Sequence, residues 1–474
     1  MVKKKKDGKI FTPKPIVKQM LYNELWRHHE LDEHIIDNSC GDGAFLCEIV
    51  VDYCETYKQE WLRKGMNLKT ILETYIHGIE IDPVEHKKCL ENLDRVAEGY
   101  GVTGVKWDIQ NRDALTCHDY DGKMDYVIAN PPYIRTHDLE CDLSGYTFTT
   151  EGMKDIYLAF YELGFRMLKD SGSMCYIAPS SWFTSLAGRK MRDYIMENKY
   201  LYSVRDFGHA QVFENATTYV AICVFRKFQN PEWQPKRVLY GKGMKTPITV
   251  SYDDMCIDGK FYFGAHEELK EMREIAEYGK DKKRTNKPYQ VKNGYATLAD
   301  DIFIPGDVPW NMSNECVIPV IKASTLKWTY AIYPYDSNGK LVTEDYLCTH
   351  ANMEYQWLCS NREKLEGRST NEPWYAYGRT QAINDTKRVK MAIKSIIKQA
   401  SDAIPYMVPP QCGVYGGLYI VSDTTEGIER LNTEHFMNYV KMLGKYKSGG
   451  YYAFSSKELE NYLNWVYAKQ KASE

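Results

Sequence analysis

At 474 residues the chain is too long for one ordinary domain and predicts two or three. Hydrophobic residues at 43% and charged residues at 26% describe a globular chain and exclude a disordered one, and no apolar run approaches the roughly 18 residues of a membrane-crossing helix. The net charge of −3 singles out no partner, while 13 scattered cysteines with no Cys-x-x-Cys argue against a zinc ribbon or a disulfide framework and point to a reducing, cytoplasmic setting.

The lysine-rich start, Met1 to Lys9, leads into no apolar stretch and predicts no secretory signal. A helical pattern covers Ile16 to Arg27. His34-Ile35-Ile36-Asp37 is a short apolar run ending in a glycine-containing turn. Val50 to Thr74 predicts one long helix or two shorter ones. Further apolar runs, predicted as strands, occupy Tyr75 to Glu80, Met124 to Ala129, Ser173 to Ala178, Val204 to Phe207 and Thr218 to Phe225. Helical patterns at Glu85 to Ala97 and Ile156 to Lys169 lie between them. This alternation predicts an α/β fold, a mostly parallel sheet with helices on both faces. The composition changes after Phe228. Gln229 to Gly259 is punctuated by Pro and Gly, His266 to Tyr278 reads as a charged helix, and the remainder is rich in Tyr, Trp, Asn and Pro. We place a domain boundary near residue 235, giving units 1–235 and 236–474, and assign no topology to the second.

Two turns carry chemistry. The strand ending at Asp37 runs into Asn38-Ser39-Cys40-Gly41-Asp42-Gly43-Ala44-Phe45, and ligands of open α/β sheets sit at such strand ends. Gly41 and Gly43 let backbone approach a ligand closely. Asp37 can hold an ammonium group, and Glu80, ending the next strand, can accept both hydroxyls of a ribose. Together they describe a site for a nucleoside with an amino-acid tail; the glycines alone fit a plain tight turn equally well. Spacing from Asp37 to Glu80 exceeds the ~20 residues of a dinucleotide fold, and a full Gly-x-Gly-x-x-Gly is missing.

The second turn is Asn130-Pro131-Pro132-Tyr133, directly after an apolar strand. Consecutive prolines are stiff and carry no N–H, so the Pro131 carbonyl is a fixed acceptor. The Asn130 side-chain oxygen is a second one. Two close acceptors suit a planar amino group: accepting both hydrogens localises the nitrogen lone pair. Tyr133 offers a flat face for a base. The reaction implied is in-line methyl transfer from a sulfonium donor to that nitrogen, driven largely by positioning.

These segments resemble the gamma class of bacterial DNA adenine-N6 methyltransferases of restriction–modification systems. The resemblance implies a Rossmann-like S-adenosylmethionine-dependent catalytic domain followed by a mixed α+β target-recognition domain. Phe11-Thr12-Pro13 resembles the motif that helps hold the methionine end of the cofactor. Asp37 to Phe45 resembles the family's glycine motif, which brings Cys40 and Phe45 into the cofactor site, with Asn38 in place of the usual Pro. Gly78-Ile79-Glu80-Ile81-Asp82 resembles the ribose motif, and Asp113 stands where the family receives the cofactor's adenine amino group. Asn130 to Tyr133 resembles the catalytic motif in its adenine variant. Val212-Phe213-Glu214-Asn215-Ala216 resembles the motif whose Phe stacks on the flipped base opposite the Tyr.

In the second half, Val291 to Phe303 and Ser448 to Ser455 resemble the opening and closing motifs of target-recognition regions. The resemblance implies duplex DNA as partner, with Arg379, Lys387, Arg388, Lys390 and Lys394, led by the aromatic stretch Trp374 to Tyr377, as candidate backbone contacts; a surface helix is the plainer reading. A separate restriction endonuclease would complete such a system. No Asp…Glu-x-Lys nuclease cluster stands out, so modification without cutting is expected. No metal site and no membrane association are expected. Two other readings stay open: methyl transfer to another amino group, in protein glutamine or RNA adenine, and a cofactor-binding recognition subunit that needs a partner.

Overall fold

The structure, a computed structural model, describes residues 12–25, 32–56, 67–134, 142–153, 155–213, 218–228, 236–243, 245–281, 287–306 and 316–473. It divides into two compact units, residues 1–270 and 271–474.

The first unit is built on a nine-stranded sheet. Its strands are β1 (Ile35–Asp37), β2 (Ile76–Ile79), β3 (Asp108–Gln110), β4 (Met124–Ala129), β5 (Leu168–Pro179), β6 (Leu201–Asp206), β7 (Val220–Arg226), β8 (Arg237–Lys242) and β9 (Ile248–Ser251). Their order is β3-β2-β1-β4-β5-β7-β6-β8-β9. The strands from β3 to β5 pair in parallel, and β7 runs antiparallel to both β5 and β6. This is the α/β sheet expected from the alternation of the first half. β1 and β7 read as short apolar runs because both their faces are buried.

Helix α1 (Lys14–Lys18) continues into a π-helical turn, Gln19–Leu25, and the two bury Val17, Met20, Leu21 and Leu25. The expected helical stretch after Val50 is two helices, α2 (Ala44–Thr56) and α3 (Leu68–Tyr75), separated by residues outside those described. α2 buries Phe45, Leu46, Ile49, Val50 and Tyr53, the stripe of an amphipathic helix. α4 (Pro83–Gly99) starts cleanly, since Pro83 sits in its first turn and the Asp82 carboxylate accepts from Val84 N at 2.8 Å. α5 (Ile156–Met167) is buried almost all round.

The division falls at 270/271, not near 235. Strands β8 and β9 lie beyond the expected boundary, yet β8 pairs in parallel with β6 and β9 with β8, so they extend the first unit's sheet. The expected charged helix is present as His266–Lys280.

After the hairpin of β10 (Cys256–Ile257) and β11 (Lys260–Phe261), the second unit is mixed α and β. An antiparallel sheet has the order β12-β19-β15-β17, from Gln290–Asn293, Leu418–Val421, Lys390–Ile393 and Tyr406–Val408. A second sheet has the order β14-β13-β18, from Lys327–Ile332, Val317–Lys322 and Gly413–Tyr415. The core between them is rich in tyrosine: Tyr295, Tyr333, Tyr335, Tyr377 and Tyr419 are all buried. Their hydroxyls find hydrogen-bond partners: Tyr377 OH donates to the Ile332 carbonyl at 2.8 Å and Tyr335 OH accepts from Tyr377 N at 2.8 Å, which is how so polar an aromatic can be buried.

Candidate active site

Strand order reverses between β1 and β4, so the chain leaves their carboxyl ends in opposite directions and opens a crevice. Asp37 ends β1 on one side and Asn130 follows β4 on the other. The Asp37 carboxylate is 1% exposed and accepts from Ser39 N at 3.0 Å. No Lys, Arg or His among the described residues pairs with it. Burial therefore pushes its carboxyl up to about 8, against the pull of the Ser39 amide and with further push from Glu80 and Asp42.

The turn after Asp37 uses its glycines as the sequence suggests. Gly41 has φ +55° and Gly43 φ +89°. A Cβ on Gly43 would meet Cys89 Sγ at 2.9 Å, while one on Gly41 would meet nothing within 4 Å. Gly43 is needed for packing; Gly41 borders open space. The Glu80 carboxylate accepts from Gly41 N and from Asp82 N, each at 2.8 Å, one bond per oxygen. Both oxygens keep acceptor capacity. Beside it Ile81 is 66% exposed, an apolar face that no described residue covers. Asp113 accepts from Leu115 N at 2.9 Å, and Asn111 donates to the Glu80 carbonyl at 2.8 Å, fixing these two strand ends together. Cys40 and Phe45 are buried under the turn, so they shape it from below.

On the other side, the Asn130 amide donates from Nδ2 to Thr12 Oγ1 at 3.1 Å. Its Oδ1 accepts from the Tyr133 hydroxyl at 2.5 Å, and that hydroxyl also lies 2.9 Å from the Ile177 carbonyl. Ser39 Oγ donates to the Asn130 carbonyl at 3.3 Å, linking the glycine turn to the Asn-Pro-Pro-Tyr segment. Pro131 is buried, with Pro132 and the Tyr133 ring partly so. Burial, then the neighbouring Asp155 and Tyr157, pushes the Tyr133 hydroxyl well above its ordinary value, so it stays a donor. Pro13 precedes α1, and its carbonyl accepts from Ile16 N at 2.8 Å, setting Thr12 at the helix entrance. Phe213 is buried, its ring centroid 6.2 Å from that of Tyr133 at an interplanar angle of 58°. Phe11 and Glu214 to Ala216 lie outside the described residues. The structure thus brings Thr12, Asp37, Gly41, Glu80, Asn130, Tyr133 and Phe213 to the carboxyl edge of one sheet. Ser39 and the Ile177 carbonyl were missed. Ser39 stood inside the quoted turn, but a backbone carbonyl leaves no mark in a sequence.

The basic residues of the second unit separate into groups. Arg379, Lys387 and Arg388 are exposed. Lys394 is partly covered, with Asp402 at 3.7 Å. Lys390 is a correction: it is 3% exposed, and its ammonium donates to the carbonyls of Asp385, Thr386 and Arg388. Burial lowers it to about 8. The stretch is no surface helix, since Lys390 starts strand β15. The aromatic lead-in turns inward as well, with Tyr375 and Tyr377 buried in the tyrosine core.

Residues 29–213 match the model described as Eco57I restriction-modification methylase. That segment, less than half of the chain, is similar to the family. The matched segment holds Asp37, Gly41, Glu80, Asn130, Tyr133 and Phe213 but not Thr12. Among curated proteins, the chain is 26% identical over 279 residues to the type II restriction enzyme and methyltransferase RM.Eco57I of Escherichia coli, covering 46% of this chain and 28% of that one. It is 23% identical over 359 residues to the type II methyltransferase M.BstVI of Geobacillus stearothermophilus, covering 66% and 63%. It is 23% identical to the type II methyltransferase M.BanIII of Aneurinibacillus aneurinilyticus, covering 79% and 74%. The chain thus spans less than two thirds of the first two relatives. Among solved structures, the type IIL restriction-modification enzyme MmeI, described in complex with DNA, aligns over 94% of this chain and 63% of its own with a TM-score of 0.60 at 13% identity, a likeness of fold. No helix among the described residues is long and apolar enough to cross a membrane.

Proposed function

We propose that the chain transfers a methyl group from S-adenosylmethionine to the N6 amino group of an adenine extruded from duplex DNA. The observation that carries this reading is the Asn130 carboxamide, anchored at the carboxyl end of β4 and tied through Ser39 to the turn that begins at Asp37.

The residues fit the cofactor. Among the described residues, a buried carboxylate without a cation, a glycine facing open space and an uncovered isoleucine lie in sequence along one edge. Asp37 holds the ammonium of the amino-acid tail, Glu80 accepts the ribose hydroxyls, Ile81 covers a face of the purine and Asp113 receives its amino group. When bound, S-adenosylmethionine supplies an electrophilic methyl on a sulfonium sulfur. Asn130 Oδ1 and the Pro131 carbonyl take the two hydrogens of the target amine and leave its lone pair free for in-line attack. Extruding a paired base costs a few kcal/mol. Stacking on Tyr133 and Phe213 offsets part of it, at ~1–3 kcal/mol per aromatic contact. The two rings touch each other in the free protein, so an entering base parts them.

Transfer to a protein glutamine or an RNA adenine would use the same two oxygens. The second unit, with Arg379, Lys387 and Arg388 on its surface, favours DNA, and the curated relatives carry names of type II methyltransferases. The test is transfer of labelled methyl from the cofactor to duplex DNA, RNA and protein in parallel, with the product nucleoside identified. Label in N6-methyladenine of DNA is expected, lost by at least about 10³-fold in Asn130→Ala while cofactor binding persists, the scale at which a transition-state donor or acceptor is felt. Label in RNA or protein alone, or activity only after a second subunit is added, refutes the reading.

A further inference from the structure

Asn130 ends in two groups of nearly one shape and opposite character, an oxygen that accepts and an NH2 that donates. Catalysis under the reading above needs the oxygen toward the target; the reversed amide would set donor against donor. Something must hold the amide the right way round. Two hydroxyls lie at its two ends. Thr12 Oγ1, on a side chain 9% exposed, accepts from Nδ2 at 3.1 Å. The Tyr133 hydroxyl shares its one proton between Oδ1 at 2.5 Å and the Ile177 carbonyl at 2.9 Å, two acceptors that keep it a donor. That carbonyl belongs to β5 and Thr12 to the entrance of α1, so the amide is gripped from two separate parts of the fold.

We propose that Thr12 and the hydroxyl of Tyr133 are positioning residues that fix the orientation of the Asn130 carboxamide, a duty separate from cofactor binding by Thr12 and base stacking by the Tyr133 ring. The inference rests on the methyltransferase reading. Oδ1 has two lone pairs, so the Tyr133 hydroxyl can occupy one while the target amine takes the other. Thr12 Oγ1 gives Nδ2 a partner away from the target. Without it, a partly buried NH2 loses that acceptor, at the scale of one hydrogen bond.

The experiment compares Thr12→Val, Thr12→Ser and Tyr133→Phe in the full-length protein. Thr12→Val keeps the shape and removes the acceptor; a roughly tenfold fall in kcat is expected, with the Kd for S-adenosylmethionine and the KM for duplex DNA within about twofold of the unaltered protein. Thr12→Ser, which keeps the oxygen, should recover most of the rate, and this recovery excludes misfolding as the cause. Tyr133→Phe keeps the ring. With 2-aminopurine at the target position, its extrusion signal should stay while kcat falls. If Thr12→Val keeps kcat within twofold, or acts only through cofactor affinity, or if Thr12→Ser is as slow as Thr12→Val, the assignment to Thr12 is overturned. If Tyr133→Phe loses extrusion and rate together, the hydroxyl has no separate duty. An unaltered protein that methylates no DNA sinks the parent reading instead; a methylating one indifferent to these changes sinks this inference alone.

Discussion

Two buried carboxylates, one in each unit, are held in opposite ways. In the second, Asp385 is buried but surrounded: Lys292 Nζ lies 2.7 Å away and Tyr419 OH donates at 2.8 Å. Burial acts to raise its carboxyl, yet Lys292, Tyr419 and Arg388 together hold it below the ordinary value. Lys390 is capped by three carbonyls. In the first unit, Asp37 is as deeply hidden and, among the described residues, receives one backbone N–H and no cation. Where compensation is complete within the chain, charge builds structure. Where it is left undone, a ligand is expected to complete it.

The sharpest way to break this contrast is Asp37→Asn. It should weaken cofactor binding by about 10–100-fold, the scale of a lost charge-assisted hydrogen bond. It should also make the free protein more stable. A carboxyl whose folded pKa is raised favours the fold most when protonated; that contribution is fully present below about 4 and is lost as pH rises through about 8. Asparagine removes the loss, so the melting temperature at pH 8 should rise by about 2–4 °C for each kcal/mol relieved. A fall in both binding and stability would mean Asp37 is structural. Cofactor affinity of the unaltered protein should also climb with pH from 6 to about 8, by up to about tenfold per unit, then turn over and fall as the ligand's own α-amino group loses its charge above about 7.7–8.0. A flat profile over that range would contradict the ammonium assignment.

The middle effects concern the compensated charges. Lys390→Met and Asp385→Asn should each cost about 1–3 kcal/mol of stability in thermal melts, because each strands partners inside the second unit. Neither should change how DNA affinity depends on salt. The smallest effect is the reverse case. Lys387→Ala should leave stability within about 0.5 kcal/mol and reduce the slope of log affinity against log salt by about 1. If Lys390→Met changes the slope and Lys387→Ala does not, the division between structural and surface charge is wrong.

The same contrast explains what the sequence could reveal. The strands from β1 to β7 were visible, apart from β3, as apolar runs, because strands buried on both faces, such as β1 and the antiparallel β7, are apolar throughout. Asp108–Gln110, with a polar residue at each end and three residues long, carried no such signal. Strands β8 and β9 were hidden in a Pro- and Gly-punctuated stretch, so the boundary was placed too early. The glycine turn and Asn-Pro-Pro-Tyr were legible because their chemistry restricts residue choice. Tyrosine misled in the second unit: an aromatic with a hydroxyl serves a base-stacking surface or a hydrogen-bonded core, and only the fold showed Tyr377 reaching the Ile332 carbonyl. Lys390 misled likewise, since three carbonyl caps come from backbone geometry.

A structure of the full-length protein with duplex DNA and an unreactive cofactor analogue tests the central claim most directly. The account expects an adenine outside the helix, its N6 nitrogen about 2.7–3.2 Å from both Asn130 Oδ1 and the Pro131 carbonyl, with its open side toward the sulfur. An adenine left stacked in the duplex, or a crevice between β1 and β4 that holds the analogue too far from those two oxygens for transfer, would contradict it.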